Sequence, residues 1–386
     1  MNGFVLRAPS TIHFGENVAL KVGDEVKRFG GKKKPLIVTD IFLASSGAID
    51  PIIASIKAAG LQYAIYAGVD KEPTMEHVDG CLAIGRESQC DLIVAVGGGS
   101  PIDVGKAVSF MATNPGQIQD YMGLDKIGLN ALPLIAVPTT AGTGSEATAT
   151  TIITDTVNDV KMLIISPRII PKVALIDPLL TLGMPKGLTA ATGLDALTHA
   201  IEAYVSRKAQ PYSDLYALSA VKLIYKNLPV AWAEPGNVEA RSKTLLGALQ
   251  AGMAFSNASV ALVHGMSRPV GAIFHVAHGV SNAALLGEVM DFSLSGNYAR
   301  YADIAMAMGL PNLNDDVKTA QSGADKVRQL IKDLEVPTLT ELGVTKEKLD
   351  PVVSKMADDA IASGSPANNP RLATKEEIIT LYHASL

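Results

Sequence analysis

"DLIVAVGGGSPIDVGKAV", residues 91–108, is the stretch on which the fold turns. An apolar run of Leu, Ile, Val and Ala meets three glycines, and Val104, Val108 and Met111 then recur at helical spacing. The pattern reads as a strand, a tight turn and a helix. Ser100 is expected at the N-cap, Pro101 at the first helical position and Asp103 at the third position of a capping box. Glycines before a helix N-terminus let backbone N–H groups approach an anion that the helix dipole favours. Gly97, Gly98 and Gly99 are therefore candidates for holding a diphosphate. The alternative is a tight turn without a ligand, since the spacing is not G-x-G-x-x-G.

Working outward, "PLIVTD" (35–40), "QYAIYAG" (62–68), "LPLIAVPTT" (132–140) and "KVALIDP" (172–178) are strand-like, while "DPIIASIKAAG" (50–60) and "MEHVDGCLAIGRES" (75–88) are helical. Continuous apolar strands alternating with helices predict a parallel sheet covered on both faces. After "LGMPKG" (182–187) the strands stop, and segments 188–205, 211–228 and 238–256 carry a 3.6-residue period. A 386-residue chain is long for one core. The expectation is an α/β domain over 1–184 and an all-helical domain over 185–386.

A second loop, "PTTAGTGSE" (138–146), follows a strand and offers Thr139, Thr140 and Thr143 as hydroxyl donors. It too falls beyond a strand's C-terminal end, where open α/β sheets bind ligands. Asp40 closes its strand: it is either a ribose acceptor that disfavours a 2′-phosphate or a helix cap.

In "GLDALTHAIEAY" (193–204), Asp195 and His199 stand i, i+4 and share one helix face. "LVHGMSRPVGAIFHVAHGVSNA" (262–283) adds His264, His275 and His278. One carboxylate with three imidazoles suits Fe(II), Zn(II) or a related ion. Each part also has a plainer reading: a local hydrogen bond for the pair, a core histidine for His264, a helix-end residue for His278.

The bulk properties narrow the field. Net charge is −5, and no Lys/Arg run exceeds Lys32-Lys33-Lys34, which opposes nucleic-acid binding. No apolar stretch approaches the roughly 18 residues of a membrane span. "MNGFVLRAPSTIHFG" has no signal-peptide core, so a cytoplasmic protein is expected. Cys81 and Cys90, placed in one helix, would stand about 13 Å apart. That is too far for a disulfide, so free thiols are expected.

Together "GGGSPID", "PTTAGTGSE", "GLDALTHAIEAY", "HGMSRPVGAIFHVAHG" and "NPRLATKEEIITLYHASL" resemble the iron-containing (group III) alcohol dehydrogenase family along essentially the whole chain. The resemblance implies a Rossmann-like N-terminal domain, a helical metal domain of the dehydroquinate-synthase-like type and a cleft between them. It maps the metal ligands onto Asp195, His199, His264 and His278. The diphosphate loop maps onto Gly97, Gly98, Gly99 and Ser100, with Asp103 close by. Further cofactor contacts map onto Thr139, Thr140, Thr143, Lys161 and Asp40, and substrate-pocket positions onto Thr150 and Phe255. One position departs from the pattern. Many members carry a histidine four residues after the third ligand, where this chain has Arg268, a group that cannot relay a proton. His275 then becomes the candidate relay, with Arg268 holding the cofactor or a polar substrate group.

The expected activity is NAD(H)-dependent oxidation of short-chain primary alcohols or diols, or reduction of the aldehydes. A divalent metal, iron or else zinc, would stabilise the alkoxide while hydride passes to the nicotinamide. Family resemblance further suggests a homodimer or larger homo-oligomer. Rival readings are a glycerol-dehydrogenase-like zinc enzyme, a dehydroquinate-synthase-like lyase, a hydroxyacid–oxoacid transhydrogenase and a catalytically silent nucleotide- and metal-binding protein.

Overall fold

The computed structural model describes residues 3–31, 33–158 and 160–386. Two compact units are present: one spans Arg7–Thr140 and Gly144–Leu182, the other Gly183–Leu386 together with Ala141–Thr143 and the N-terminal residues up to Leu6.

The first unit is built, among the described residues, on nine strands: β1 (Thr11–Phe14), β2 (Pro35–Asp40), β3 (Ala64–Val69), β4 (Leu92–Gly97), β5 (Gly123–Leu124), β6 (Leu134–Pro138), β7 (Thr150–Asp155), β8 (Val160–Ile165) and β9 (Val173–Ile176). Six of them form a sheet in the order β1-β9-β6-β4-β2-β3, in which every pairing is parallel. β4 and β6 are buried along their whole length, as the apolar runs require. Alternate side chains feed two cores. Leu36, Val38, Ile93 and Ala95 pack on one side with α4 (Met75–Glu87) and α5 (Gly99–Met111). Ile37, Val94, Val96 and Ile135 pack on the other with α1 (Val22–Arg28) and α3 (Asp50–Ala58). A short α2 (Ile41–Ser45) follows β2 directly.

From β2 the chain moves outward to β3 and then returns to place β4 on the other flank of β2. The strand order therefore reverses between β2 and β4. At such a switch point the connections leave on opposite faces and open a crevice beyond the strands' C-terminal ends. Asp40 and Gly97 are the last residues of these two strands.

Three local expectations change. α5 starts at Gly99 with Gly98 as N-cap, so Ser100 is not the cap and no capping box forms. Pro101 remains harmless because the first turn's N–H groups have no intrahelical acceptor. Cys90 lies beyond α4 and after the left-handed Gln89; it and Cys81 are free thiols. β1 and the antiparallel hairpin β7–β8 add strands to the expected set. In the lysine run, Lys33 pairs with Asp91 at 3.0 Å, and Lys32 lies outside the described residues.

The second unit contains α6 (Lys186–Val205), α7 (Pro211–Ala233), α8 (Val238–Ala258), α9 (Leu262–Phe274), α10 (His278–Leu294), α11 (Tyr298–Ala307) and α12 (Asp316–Asp333), with shorter helices to the end of the chain. Among the described residues no strand follows β9, and no single helix is long and apolar enough to cross a membrane.

Candidate active site

Alanine and leucine pack the buried length of α6, leaving Asp195, His199 and Glu202 at i, i+4 and i+7 on one shared stripe. All three are buried. Their neighbours come from two other helices. His264 lies in the first turn of α9, and His278 is the first residue of α10. α10 can approach α6 because residue 279 is glycine: a Cβ there would stand 2.5 Å from the Ala191 carbonyl oxygen.

The groups converge on Asp195. His264 Nε2 lies 3.6 Å and His278 Nε2 3.8 Å from its Oδ1, while His199 Nδ1 is 3.9 Å from Oδ2. The rings of His199 and His264 stack at 4.4 Å, and Phe255 of α8 covers the other face of His199 at 4.2 Å. One ligand atom each from Asp195, His199 and His264 falls within 4.8 Å of the others. Two further residues complete the cluster. Asn282 donates to Asp195 Oδ1 at 2.7 Å and lies 3.2 Å from the Nε2 atoms of both His264 and His278. Glu202 accepts from Ala261 N at 2.9 Å, Val263 N at 2.6 Å and His264 Nδ1 at 2.6 Å.

Burial pushes His199 down to about 4 despite the Asp195 charge, so its imidazole is neutral and basic nitrogen is available. Burial acts the same way on His264, but the Glu202 charge and hydrogen bond, together with the nearby Asp195 carboxylate, outweigh it and lift the group to about 9. Asp195 is held below the usual carboxylate range: burial opposes ionisation, and His199 and His264 overcome it. Two buried polar atoms here, His199 Nδ1 and Asn282 Oδ1, have no hydrogen-bond partner among the described residues. A carboxylate and three imidazoles with an orphaned ring nitrogen among them fit a divalent first-row cation.

Arg268, one turn beyond His264, makes no hydrogen bond and no ion pair among the described residues; burial lowers its pKa while the Glu202 charge opposes the shift. His275 ends α9 in the left-handed conformation (φ 56°), is exposed, and makes no hydrogen bond or ring contact to the cluster among the described residues.

The sites expected for a dinucleotide lie in the first unit, apart from Thr143. Gly97 has φ 147°, and a Cβ there would stand 2.6 Å from Pro101 Cγ, so the turn into α5 demands glycine. The same hypothetical atom would sit 3.3 Å from Asp40 Oδ2. The other oxygen of Asp40 caps α2 through Leu43 N at 2.8 Å. Thr139 N donates to Gly97 O at 2.9 Å, and the Thr140 side chain lies against Gly98. Ser100 is half-buried in the first turn of α5. Asp103 is engaged elsewhere: it accepts from Ser145 Oγ at 2.6 Å and Ile152 N at 3.0 Å. Lys161 on β8 pairs with Glu72 at 2.6 Å. The Thr150 carbonyl accepts from Lys106 at 2.8 Å.

Residues 9–178 match the model of iron-containing alcohol dehydrogenases, and residues 189–386 match the C-terminal domain of the Fe-containing alcohol dehydrogenase family. The chain belongs to that family and is an oxidoreductase of the alcohol dehydrogenase class. It is 40% identical to the 1,3-propanediol dehydrogenase of Klebsiella pneumoniae over 97% of this chain and 96% of that one. It is 39% identical to the lactaldehyde reductase of Escherichia coli K12 over 97% of each. Among solved structures, a 1,3-propanediol oxidoreductase superposes with a TM-score of 0.96 at 39% identity, covering both chains completely. The sulfoacetaldehyde reductase of Bifidobacterium kashiwanohense, solved with NAD+, has a TM-score of 0.90 at 31% identity, covering 100% of this chain and 99% of that one.

Proposed function

We propose that the protein is an NAD(H)-dependent dehydrogenase that interconverts a short-chain primary alcohol or diol with its aldehyde, using iron held by Asp195, His199, His264 and His278. The observation that carries this reading is the convergence of three imidazoles on one buried carboxylate, with His199 Nδ1 left without a hydrogen-bond partner among the described residues. A divalent cation supplies Lewis acidity, which favours ionisation of an alcohol and polarises an aldehyde carbonyl. NAD supplies the hydride acceptor.

The chain's own residues bind and orient. Gly97, Gly98, Gly99 and Ser100 would present backbone N–H groups at the N-terminus of α5 to the diphosphate. Asp103 would act behind that turn through Ser145, not by touching the cofactor. Asp40 Oδ2 would accept from the ribose, and Thr139, Thr140, Thr143 and Lys161 would supply further donors. Residues 1–184 would thus serve the dinucleotide and 185–386 the metal and substrate. Thr150 and Phe255 would border the substrate; Phe255, stacked on His199, sets how close a carbon chain can approach that ring. Arg268 would fix a polar group of substrate or cofactor, and His275, exposed to water, would pass the proton. A homodimer or larger assembly in the cytoplasm accompanies this reading.

The test is anaerobic purification followed by metal analysis and by NADH formation with a panel of C2–C4 alcohols and diols. About one iron per chain with turnover is expected. Bound metal without turnover would favour a silent binding protein, and no bound metal would reject the site.

A further inference from the structure

We propose that Glu202 is a positioning residue for the metal site, fixing both the start of α9 and the hydrogen-bonding state of His264. This inference rests on the metal reading above. Glu202 is buried and forms no ion pair with any Lys or Arg among the described residues. A buried carboxylate is costly unless hydrogen bonds replace its water. Its replacements are two backbone N–H groups, Ala261 and Val263, and the ring nitrogen of His264. α9 has no side-chain cap of its own, since Ala261 stands at its N-cap position. A residue of α6 therefore satisfies the orphan N–H groups of a helix nearly sixty residues further along the chain. The negative charge also complements the positive end of that helix dipole.

The same contact selects the useful form of His264. In a neutral imidazole one nitrogen carries the hydrogen and the other the lone pair. In the neutral form that a cation requires, donation from Nδ1 to Glu202 at 2.6 Å keeps the lone pair on Nε2, the nitrogen that lies 3.6 Å from Asp195 Oδ1. Glu202 stands three residues after His199 on α6. One helix thus carries two ligands and aims a third that belongs to α9.

Glu202→Gln preserves volume but offers one oxygen where two oxygens serve three donors. The affinity of the metal-free protein for Zn(II), measured by chelator competition, should weaken about 10- to 100-fold, as expected when an outer partner of a ligating histidine is lost. The Zn(II)-loaded wild type should show a hydrogen on His264 Nδ1 by nitrogen-15 NMR. A helix cap without influence on the metal would lower thermal stability and leave the affinity for Zn(II) unchanged, and that result would overturn the proposal. Should Glu202→Gln fail to fold, the NMR measurement decides alone: a hydrogen on Nε2 would overturn it. If wild type binds Zn(II) and Glu202→Gln binds it equally, only this inference fails. If wild type binds none, the metal reading fails with it.

Discussion

Two buried clusters of charge lie in the two units, and they end differently. Around Lys106 the cation is saturated: Nζ donates to Ser145 Oγ, Thr148 Oγ1 and the Thr150 carbonyl at 2.8–2.9 Å, using all three of its hydrogens. Asp103 closes the same network through Ser145 and Ile152. Around Asp195, two buried polar atoms have no hydrogen-bond partner among the described residues, and the nitrogens of three imidazoles stand 3.6–3.9 Å from one carboxylate. Burial is common to both, so burial alone does not mark a site. The difference lies in closure. A network that saturates its cation ties α5 to the 145–152 segment, whereas one that gathers three imidazoles beyond hydrogen-bond distance of one carboxylate is ready for a cation.

That difference breaks most readily at the open cluster. Asp195→Ala and His264→Ala should each lose bound metal, with kcat/KM falling at least about 10³-fold, equivalent to about 4 kcal/mol. Metal analysis and NADH formation check this, and full activity in either variant would remove the contrast. Lys106→Met should do the opposite. It strands Asp103 and Glu146 without their cation and should cost about 3 kcal/mol of stability, read by denaturant unfolding, while metal per folded chain stays at the wild-type level.

The closed cluster also carries a pH signature. Burial raises Glu146 from its ordinary 4.5 to about 7, so the folded state holds a proton that the unfolded chain releases. Its contribution is therefore complete below about 4.5 and is lost as pH rises towards 7. Burial lowers Lys106 from 10.5 to about 8, so between those values the unfolded chain binds more protons and stability rises with pH. Glu146→Gln should flatten the lower window and, by removing a carboxylate that supports the Lys106 charge, extend the upper one to lower pH. Unfolding midpoints measured across pH 4–10 test both signs, and an unchanged lower window would mean that Glu146 ionises freely.

The contrast also explains what could be read from residues alone. Continuous apolar runs made β2, β4 and β6 plain, because a buried parallel strand needs no polar alternation. β7 and β8 escaped because "TTIITD" and "VKMLII" bury only alternate residues and mix polar side chains into the apolar ones. Asp195 and His199 announced themselves by spacing and chemical type. Glu202 lies in the same quoted stretch, yet only tertiary structure brings α9 to it; its i+7 spacing from Asp195 was the available signal. Asn282 is a neutral amide with no such signal. Lys106, a lone cation on an apolar helix, gave a hint that a surface position would have explained equally well. Asp103 was misplaced because a serine followed by a carboxylate three residues later fits a capping box, and only the actual start of α5 at Gly99 rules it out.

Asp40 joins the two modes in one side chain and gives the smallest expected effect. Its Oδ1 is closed by the cap of α2, whereas Oδ2 has no hydrogen bond among the described residues and lies against Gly97 at the switch point of the sheet. Replacing an N-cap by glycine costs only a few tenths of a kcal/mol, so Asp40→Gly should fold with nearly the wild-type midpoint. The loss should instead appear in the open oxygen's role. Without a carboxylate to accept from the 2′-hydroxyl and repel a 2′-phosphate, the ratio of kcat/KM for NAD over NADP should narrow about tenfold, equivalent to about 1.4 kcal/mol. A lowered midpoint with an unchanged cofactor ratio would make Asp40 a cap and nothing more. A narrowed ratio at constant stability would extend the rule to a single residue: the atom left without a partner is the one that meets the ligand.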